Sequence, residues 1–326
     1  MNKPKVLITR NIFAEDIERI KEVAEVDLWV EELPPPREAL LEKSKGISGI
    51  LCLITDDIDR EFMDNVGPKL KVISQIAVGY NNIDIAEATR RRIPVGYTPD
   101  VLTHTTADFA FALLMATARL VVPGYNAVQN GLWKTWHPLH FLGQDVYGST
   151  LGIVGMGRIG FEMARRSIGF NMNVVYYDIN RRKDLEDEIR MKYVSFDELL
   201  ETSDFVSIHV DLNPITRNMF DDDQFTQMKE SSVIINAARG PIIDHMALYR
   251  ALKENKIYAA GLDVTDPEPI PSNHPLLGLD NCLIVPHIAS ASVATRKAMS
   301  KLATTNLING LMDRPLSTCV NLEING

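Results

Sequence analysis

By type and spacing, the residues best suited to chemistry are Gly155-Met156-Gly157-Arg158-Ile159-Gly160. They follow the apolar run Leu151-Gly152-Ile153-Val154 and lead directly into a helical pattern. In that setting Gly155 takes a tight turn, Gly157 leaves room for a pyrophosphate, and Gly160 permits close helix–strand packing. The opening helix turn offers free N–H groups and the positive end of its dipole to phosphate, and Arg158 adds a charge. The whole hexapeptide, Met156 and Ile159 included, therefore reads as a cofactor-binding turn. Asp178 closes the next apolar run, Val174-Val175-Tyr176-Tyr177. Its carboxylate suits an adenosine ribose diol and repels a 2′-phosphate, which favours NAD over NADP. Arg181 and Arg182 stand in the following loop, within reach of such a phosphate, so NADP stays open.

No metal chemistry is legible. His137 and His140 flank an aromatic stretch with Trp133, Trp136 and Phe141, but no HExxH or other metal spacing is present. Cys52, Cys282 and Cys319 are far apart and suggest neither a zinc knuckle nor a disulfide scaffold. The 34 Lys and Arg stand against 43 Asp and Glu, a net charge of -9 that leaves no broad basic field for nucleic acid. With 45% apolar and 24% charged residues the chain can build large cores, which excludes a mainly disordered protein. The start Met1-Asn2-Lys3-Pro4-Lys5-Val6 has no signal-peptide core. The longest apolar stretch, Ala107 to Val122, holds Asp108 and Arg119 and is shorter than a membrane span. The expectation is a cytoplasmic protein with no membrane, metal or nucleic-acid partner.

The elements that must position these residues come from periodicity. At 326 residues about two domains are expected. Strands are predicted at Val6–Thr9, Val26–Val30, Gly49–Leu53, Val72–Ser74 and Ile93–Val95 in the first hundred residues. After Gly148 they are predicted at Leu151–Val154, Asn173–Tyr177, Phe205–His209, Val233–Asn236, Tyr258–Leu262 and Leu283–Val285. Helix-length segments between them argue for parallel α/β packing. The charge-dense Arg181–Lys192 reads as a loop and short helix. Between Thr105 and Leu132, Phe109, Leu113, Ala116 and Leu120 share a helical face that other apolar residues widen. Such a helix should be buried on more than one side, against another domain or subunit. Pro123 should kink or divide it.

Three further segments carry a family resemblance. Asn236-Ala237-Ala238-Arg239-Gly240-Pro241-Ile242-Ile243-Asp244 is similar to the arginine motif of the D-isomer-specific 2-hydroxyacid dehydrogenases. Gly261-Leu262-Asp263-Val264-Thr265-Asp266-Pro267-Glu268-Pro269 resembles their glutamate motif, and Pro286-His287-Ile288-Ala289-Ser290 their histidine motif. Ala77–Asp84 and Thr98–Thr103 match family patterns as well. The resemblance implies hydride exchange between a nicotinamide ring and C2 of a 2-oxo acid. His287 would donate a proton to the carbonyl oxygen, since an imidazole, with an ordinary pKa of about 6.5, reaches both protonation states. Glu268 would orient that ring and favour its cation. Arg239 would hold the substrate carboxylate with two prongs and polarise the carbonyl. Val78 and Gly79 would offer backbone N–H groups to the same carboxylate, with Leu53 lining the pocket. By the same resemblance Asp263 contacts the nicotinamide side, Asn213 and Pro214 form a loop beside the cofactor, and Thr103, Ala238 and His287 face it.

The implied architecture is two Rossmann-like parallel-sheet domains separated by a substrate cleft. A nucleotide domain at 100–288 would be inserted in a substrate domain formed by 1–99 and the returning helix and tail at 289–326. A homodimer through the nucleotide domains is also implied. Gly131-Leu132-Trp133-Lys134-Thr135-Trp136-His137-Pro138 looks most like the glyoxylate and hydroxypyruvate reductase branch. A 2-ketogluconate reductase, a D-3-phosphoglycerate dehydrogenase and a dinucleotide-sensing corepressor are the alternatives. Two departures bear on substrate choice. Thr265-Asp266 replaces the usual aromatic–glutamate pair, and Gln75-Ile76-Ala77 precedes Val78 where variants of different specificity differ.

Overall fold

The computed structural model describes residues 3–325, so Met1 and Asn2 of the start read above lie outside the described residues. The chain divides into two compact units, Met1–Leu102 with Ser292–Gly326, and Thr103–Ala291. Both are parallel α/β structures.

In the first unit the strands β1 (Lys5–Ile8), β2 (Glu25–Leu28), β3 (Gly49–Cys52), β4 (Val72–Gln75) and β5 (Val95–Gly96) pair in the order β2-β1-β3-β4-β5. Helices α1 (Ala14–Val23), α2 (Arg37–Ser44), α3 (Arg60–Val66) and α4 (Ile85–Arg90) connect them. Every residue of β3 and β4 is buried. Strands that read Gly-Ile-Leu-Cys and Val-Ile-Ser-Gln lack alternation because helices cover both faces of a parallel sheet. The last helix returns to this unit and packs on β3 and β4.

The second unit opens with α5 (Thr103–Ala118) and α6 (Val121–Gln129). Its strands are β6 (Thr150–Val154), β7 (Asn173–Tyr177), β8 (Lys192–Tyr193), β9 (Phe205–Ile208), β10 (Val233–Asn236), β11 (Ala259–Leu262) and β12 (Cys282–Ile284). The helices among them are α7 (Arg158–Ser167), α8 (Lys183–Ile189), α9 (Phe196–Thr202), α10 (Asp222–Gln227) and α11 (His245–Lys253); the returning helix of the first unit is α12 (Val293–Leu311). The sheet order β12-β11-β10-β9-β6-β7-β8 places β6 beside β9 at the point where the winding reverses. The crevice beyond the carboxyl ends of those two strands is where open α/β sheets bind ligands. Gly155 follows β6 there, and His209 follows β9.

Several expectations needed correction. On α5, Leu113 of the expected face is buried, Phe109 and Ala116 are half-buried, and burial extends round the helix to Ala107, Ala110, Phe111, Leu114 and Ala118, as a helix covered on more than one side requires. Small residues among these let α5 lie close against α7 and the sheet. The α5–α6 break falls at Leu120 (φ 51°), before Pro123, with a bend of 62°. Pro123 sits in the first turn of α6, where its missing N–H costs nothing, but in a continuous helix its ring would strike the Arg119 carbonyl. Strand β8 is a two-residue edge hidden in the charged segment, and Tyr193 in it packs edge-on against Tyr176 at 5.4 Å. Helices α4 and α10 went unread although Asp84 and Asp221 cap them. Among the described residues no single helix is long and apolar enough to cross a membrane; only the bent α5–α6 pair meets that length and composition in sum.

Candidate active site

The glycine turn is shaped by contacts that a side chain would break. A Cβ on Gly160 would lie 2.1 Å from the Gly155 carbonyl oxygen, so α7 can start this close to β6 only with glycine there. Around Gly157 there is open space, and this residue caps α7 without any side-chain bond. Among the described residues the main-chain N–H groups of Gly157 and Ile159 meet no protein acceptor. Asp178 lies against the same turn: one carboxylate oxygen accepts the Met156 N–H at 2.7 Å, the other the Asn180 N–H at 2.8 Å. Arg181 is held by Glu186 through two bonds of 2.7 Å. Arg182 is held by Asp184 and reaches the Met156 carbonyl at 3.2 Å. An open, donor-rich turn flanked by a carboxylate fits a dinucleotide. Gly160→Ala should therefore raise the KM for the dinucleotide about tenfold or more while the folded content by circular dichroism persists; an unchanged KM would remove the turn from the site.

Three loops at the carboxyl ends of β10, β11 and β12 carry the other candidates. His287 occupies the left-handed backbone region (φ 53°), a strained setting for a residue with a side chain. Asp263 supplies most of the bonds that hold it, beside the Val285 carbonyl, which also accepts the His287 N–H at 3.0 Å. The Asp263 carbonyl accepts the His287 N–H at 2.9 Å, and its two carboxylate oxygens accept the N–H groups of Ile288 (2.7 Å) and Ala289 (2.9 Å). Burial pushes the Asp263 carboxyl above its ordinary pKa, against the pull of those donors and of the His287 charge. Sequence reasoning missed this anchoring, whose only signal was an acid in an otherwise apolar strand end.

Glu268 meets the His287 ring directly, with Oε1 2.6 Å from Nδ1. Burial opposes its ionisation, but the bond to His287 and the charges of His287 and Arg239 outweigh it, and the carboxyl sits below its ordinary pKa. Among the described residues no protein group bonds Nε2 of His287, so that nitrogen is left to an outside partner. Arg239 follows β10, and burial pulls its pKa down against the opposing charges of Glu268 and Asp211. Its loop is clasped by buried Asn236, whose side chain donates to the Arg239 carbonyl (2.9 Å) and accepts the Ala238 N–H (3.0 Å). A Cβ on Gly240 would fall 1.9 Å from the Thr265 carbonyl oxygen, so the arginine and glutamate loops pack backbone to backbone. Asn213 closes its own turn on Ile215 and Thr216, and Asn218 ties that loop to the Pro241 carbonyl.

In the first unit, Leu53 follows β3 and Val78 and Gly79 follow β4. The N–H groups of Val78 and Gly79 make no hydrogen bond among the described residues, which is rare for adjacent half-buried amides. Thr103 is the first residue of α5. Thus the structure joins Glu268 to His287 by contact, brings Arg239 within electrostatic reach of Glu268, and ties Asp178 to the glycine turn.

A family profile described as D-isomer specific 2-hydroxyacid dehydrogenase, NAD binding domain, matches residues 111–289. A glyoxylate reductase of Korarchaeum cryptofilum is 50% identical over 307 residues, 94% of this chain and 92% of that one. Among solved structures, a protein from Thermus thermophilus superposes with a TM-score of 0.91 at 41% identity, covering 97% of this chain and 99% of its own. A glyoxylate reductase from Paecilomyes thermophila does so at 0.87 and 34% identity, over 99% and 100%.

Proposed function

Because this chain belongs to the D-isomer-specific 2-hydroxyacid dehydrogenases and reduces a small 2-oxo acid to the 2-hydroxy acid with NADH or NADPH, we propose glyoxylate as its preferred acid, with hydroxypyruvate next. The observation that carries this reading is the 2.6 Å contact between His287 and Glu268, a proton donor held by its own counter-ion. When bound, the dinucleotide supplies the hydride that reaches C2. His287 gives its proton from Nε2 to the carbonyl oxygen, and Glu268 fixes the ring and favours the cation that the step requires. Arg239 polarises the carbonyl, and Val78 and Gly79 offer their unpaired amides to the carboxylate. A two-carbon acid needs that clamp and little else. Relatives similar along nearly their whole length are named for glyoxylate.

NAD is favoured over NADP in this proposal. Asp178 stands where a 2′-phosphate would be repelled, and Arg181 and Arg182 are each paired with a carboxylate of their own segment. The proposal includes a homodimer through the second unit, in which a second copy would cover the exposed apolar side chains of Tyr125, Leu132, Trp133, Trp136 and Leu139. It also includes a cytoplasmic home, where the free thiols Cys52, Cys282 and Cys319 stay reduced. Initial rates with NADH and NADPH against glyoxylate, hydroxypyruvate, pyruvate and 2-ketogluconate test it. Glyoxylate with NADH should give the highest kcat/KM, and 2-ketogluconate ahead of it would overturn the substrate choice.

Glu268→Gln adds a second test. The carboxylate fixes the imidazole through the 2.6 Å contact with Nδ1, and an amide holds that ring less firmly. The kcat for reduction should fall roughly tenfold, with the KM for NADH hardly changed. A kcat equal to that of the unsubstituted enzyme would remove Glu268 from the mechanism.

A further inference from the structure

Beneath the Val78–Gly79 loop lies a pair of side-chain amides that the proposed reaction does not use. Gln75 ends β4 and is fully buried. Asn82 lies seven residues on. The two amides bond each other reciprocally, Gln75 Nε2 to Asn82 Oδ1 at 3.0 Å and Asn82 Nδ2 to Gln75 Oε1 at 2.8 Å. Their remaining hydrogens go to backbone. Gln75 donates its second hydrogen to the Gly79 carbonyl at 2.5 Å, and Asn82 shares its second between the carbonyls of Leu53 (3.0 Å) and Asp56 (2.8 Å). On the far side Asp56 Oδ2 accepts the Leu53 N–H at 2.8 Å and the Thr9 hydroxyl at 2.5 Å.

We propose that the Gln75–Asn82 amide pair is the positioning device of the carboxylate subsite, joining the loop after β3 to the loop after β4 and presetting the Val78 and Gly79 amides. The inference rests on the reading that those amides bind the substrate carboxylate. The physical case is one of donor accounting. With both Leu53 main-chain groups and the Gly79 carbonyl engaged, the loops keep the N–H groups of Val78 and Gly79 as adjacent unpaired donors. The peptide that carries the Val78 N–H is held through its Ala77 carbonyl, which accepts the Thr98 N–H at 2.8 Å, and the Gln75 bond to the Gly79 carbonyl fixes the peptide on the far side of Gly79, so the two amides between these anchors stay presented. Preset donors bind without the cost of ordering a loop at each encounter. Because each amide fills the other's capacity, the pair is either wholly satisfied or, with one member gone, leaves a buried polar group without a partner.

The test uses the full-length enzyme with NADH and glyoxylate. Gln75→Met keeps volume and removes the polar atoms, and Asn82→Ala removes the bridge to Leu53 and Asp56. Each should raise the KM for glyoxylate about tenfold, with kcat within about threefold and the KM for NADH within about twofold. Val78→Pro, which deletes one N–H, serves as the reference. If Val78→Pro raises the KM for glyoxylate while neither amide variant does, the proposal is overturned and the carboxylate reading stands. If Val78→Pro also leaves that KM unchanged, the carboxylate reading itself fails and takes the proposal with it. A parallel loss in NADH binding and thermal midpoint in both amide variants, without the selective KM rise, would show a merely structural pair and equally overturn it.

Discussion

Replacing His287 by Ala is expected to lower kcat for glyoxylate reduction by about 10²–10⁴-fold, the usual contribution of a positioned proton donor. The KM for NADH should hardly change, because the glycine turn and Asp178 belong to other loops of the sheet. The effect is large because nothing replaces Nε2. Glu268 is committed to Nδ1, the Asp263 carboxylate to the N–H groups of Ile288 and Ala289, and Arg239 does not release a proton in the working range. Stopped-flow or steady-state rates with NADH measure this directly. A variant retaining more than about a tenth of the original kcat, outside the range for such donors, would mean the proton comes from elsewhere.

Arg239→Lys should cost nearly as much, about 10²–10³-fold in kcat/KM for glyoxylate, although charge is conserved. A guanidinium presents parallel N–H groups to a carboxylate or carbonyl, whereas an ammonium offers one point of contact. The site is also hard on a lysine. Burial already draws the Arg239 pKa down despite the nearby charges of Glu268 and Asp211, and the same burial would neutralise part of a lysine population. The loop itself should survive, since Asn236 clasps its backbone and not the guanidinium. Equal rates for the lysine variant and the unsubstituted enzyme would leave Arg239 a structural residue.

Much of the second unit was legible in one dimension. The predicted strands Asn173–Tyr177 and Val233–Asn236 agree residue for residue with β7 and β10. Short continuous apolar runs bounded by polar turns are what a sheet covered on both faces demands. Hidden elements failed that pattern for particular reasons. Lys192–Tyr193 is too short and too charged to show a period, and becomes a strand because Val175 and Tyr176 of β7 offer it an edge. Burial of α5 on more than one side was legible because apolar residues surround that helix, but which elements cover it, α7 and the sheet, was not.

The chain's own order of residues was sufficient for whatever depends on neighbours a few positions apart. That covers the phosphate turn of Gly155 to Gly160, whose glycines answer to backbone sterics, and the parallel α/β class; the candidate acid, its orienting carboxylate and the anion clamp are implied by the family resemblance of three motifs. Three-dimensional packing alone decided the partnerships between distant segments. The resemblance of their motifs already implied that Glu268 orients His287, but the left-handed turn pinned by Asp263, the Gly240 contact with Thr265 and the Gln75–Asn82 amide pair come only with the folded backbone. The reason is physical: a buried polar group must be satisfied, and spacing reveals that a group is polar but not which distant donor or acceptor the folded sheet brings to it.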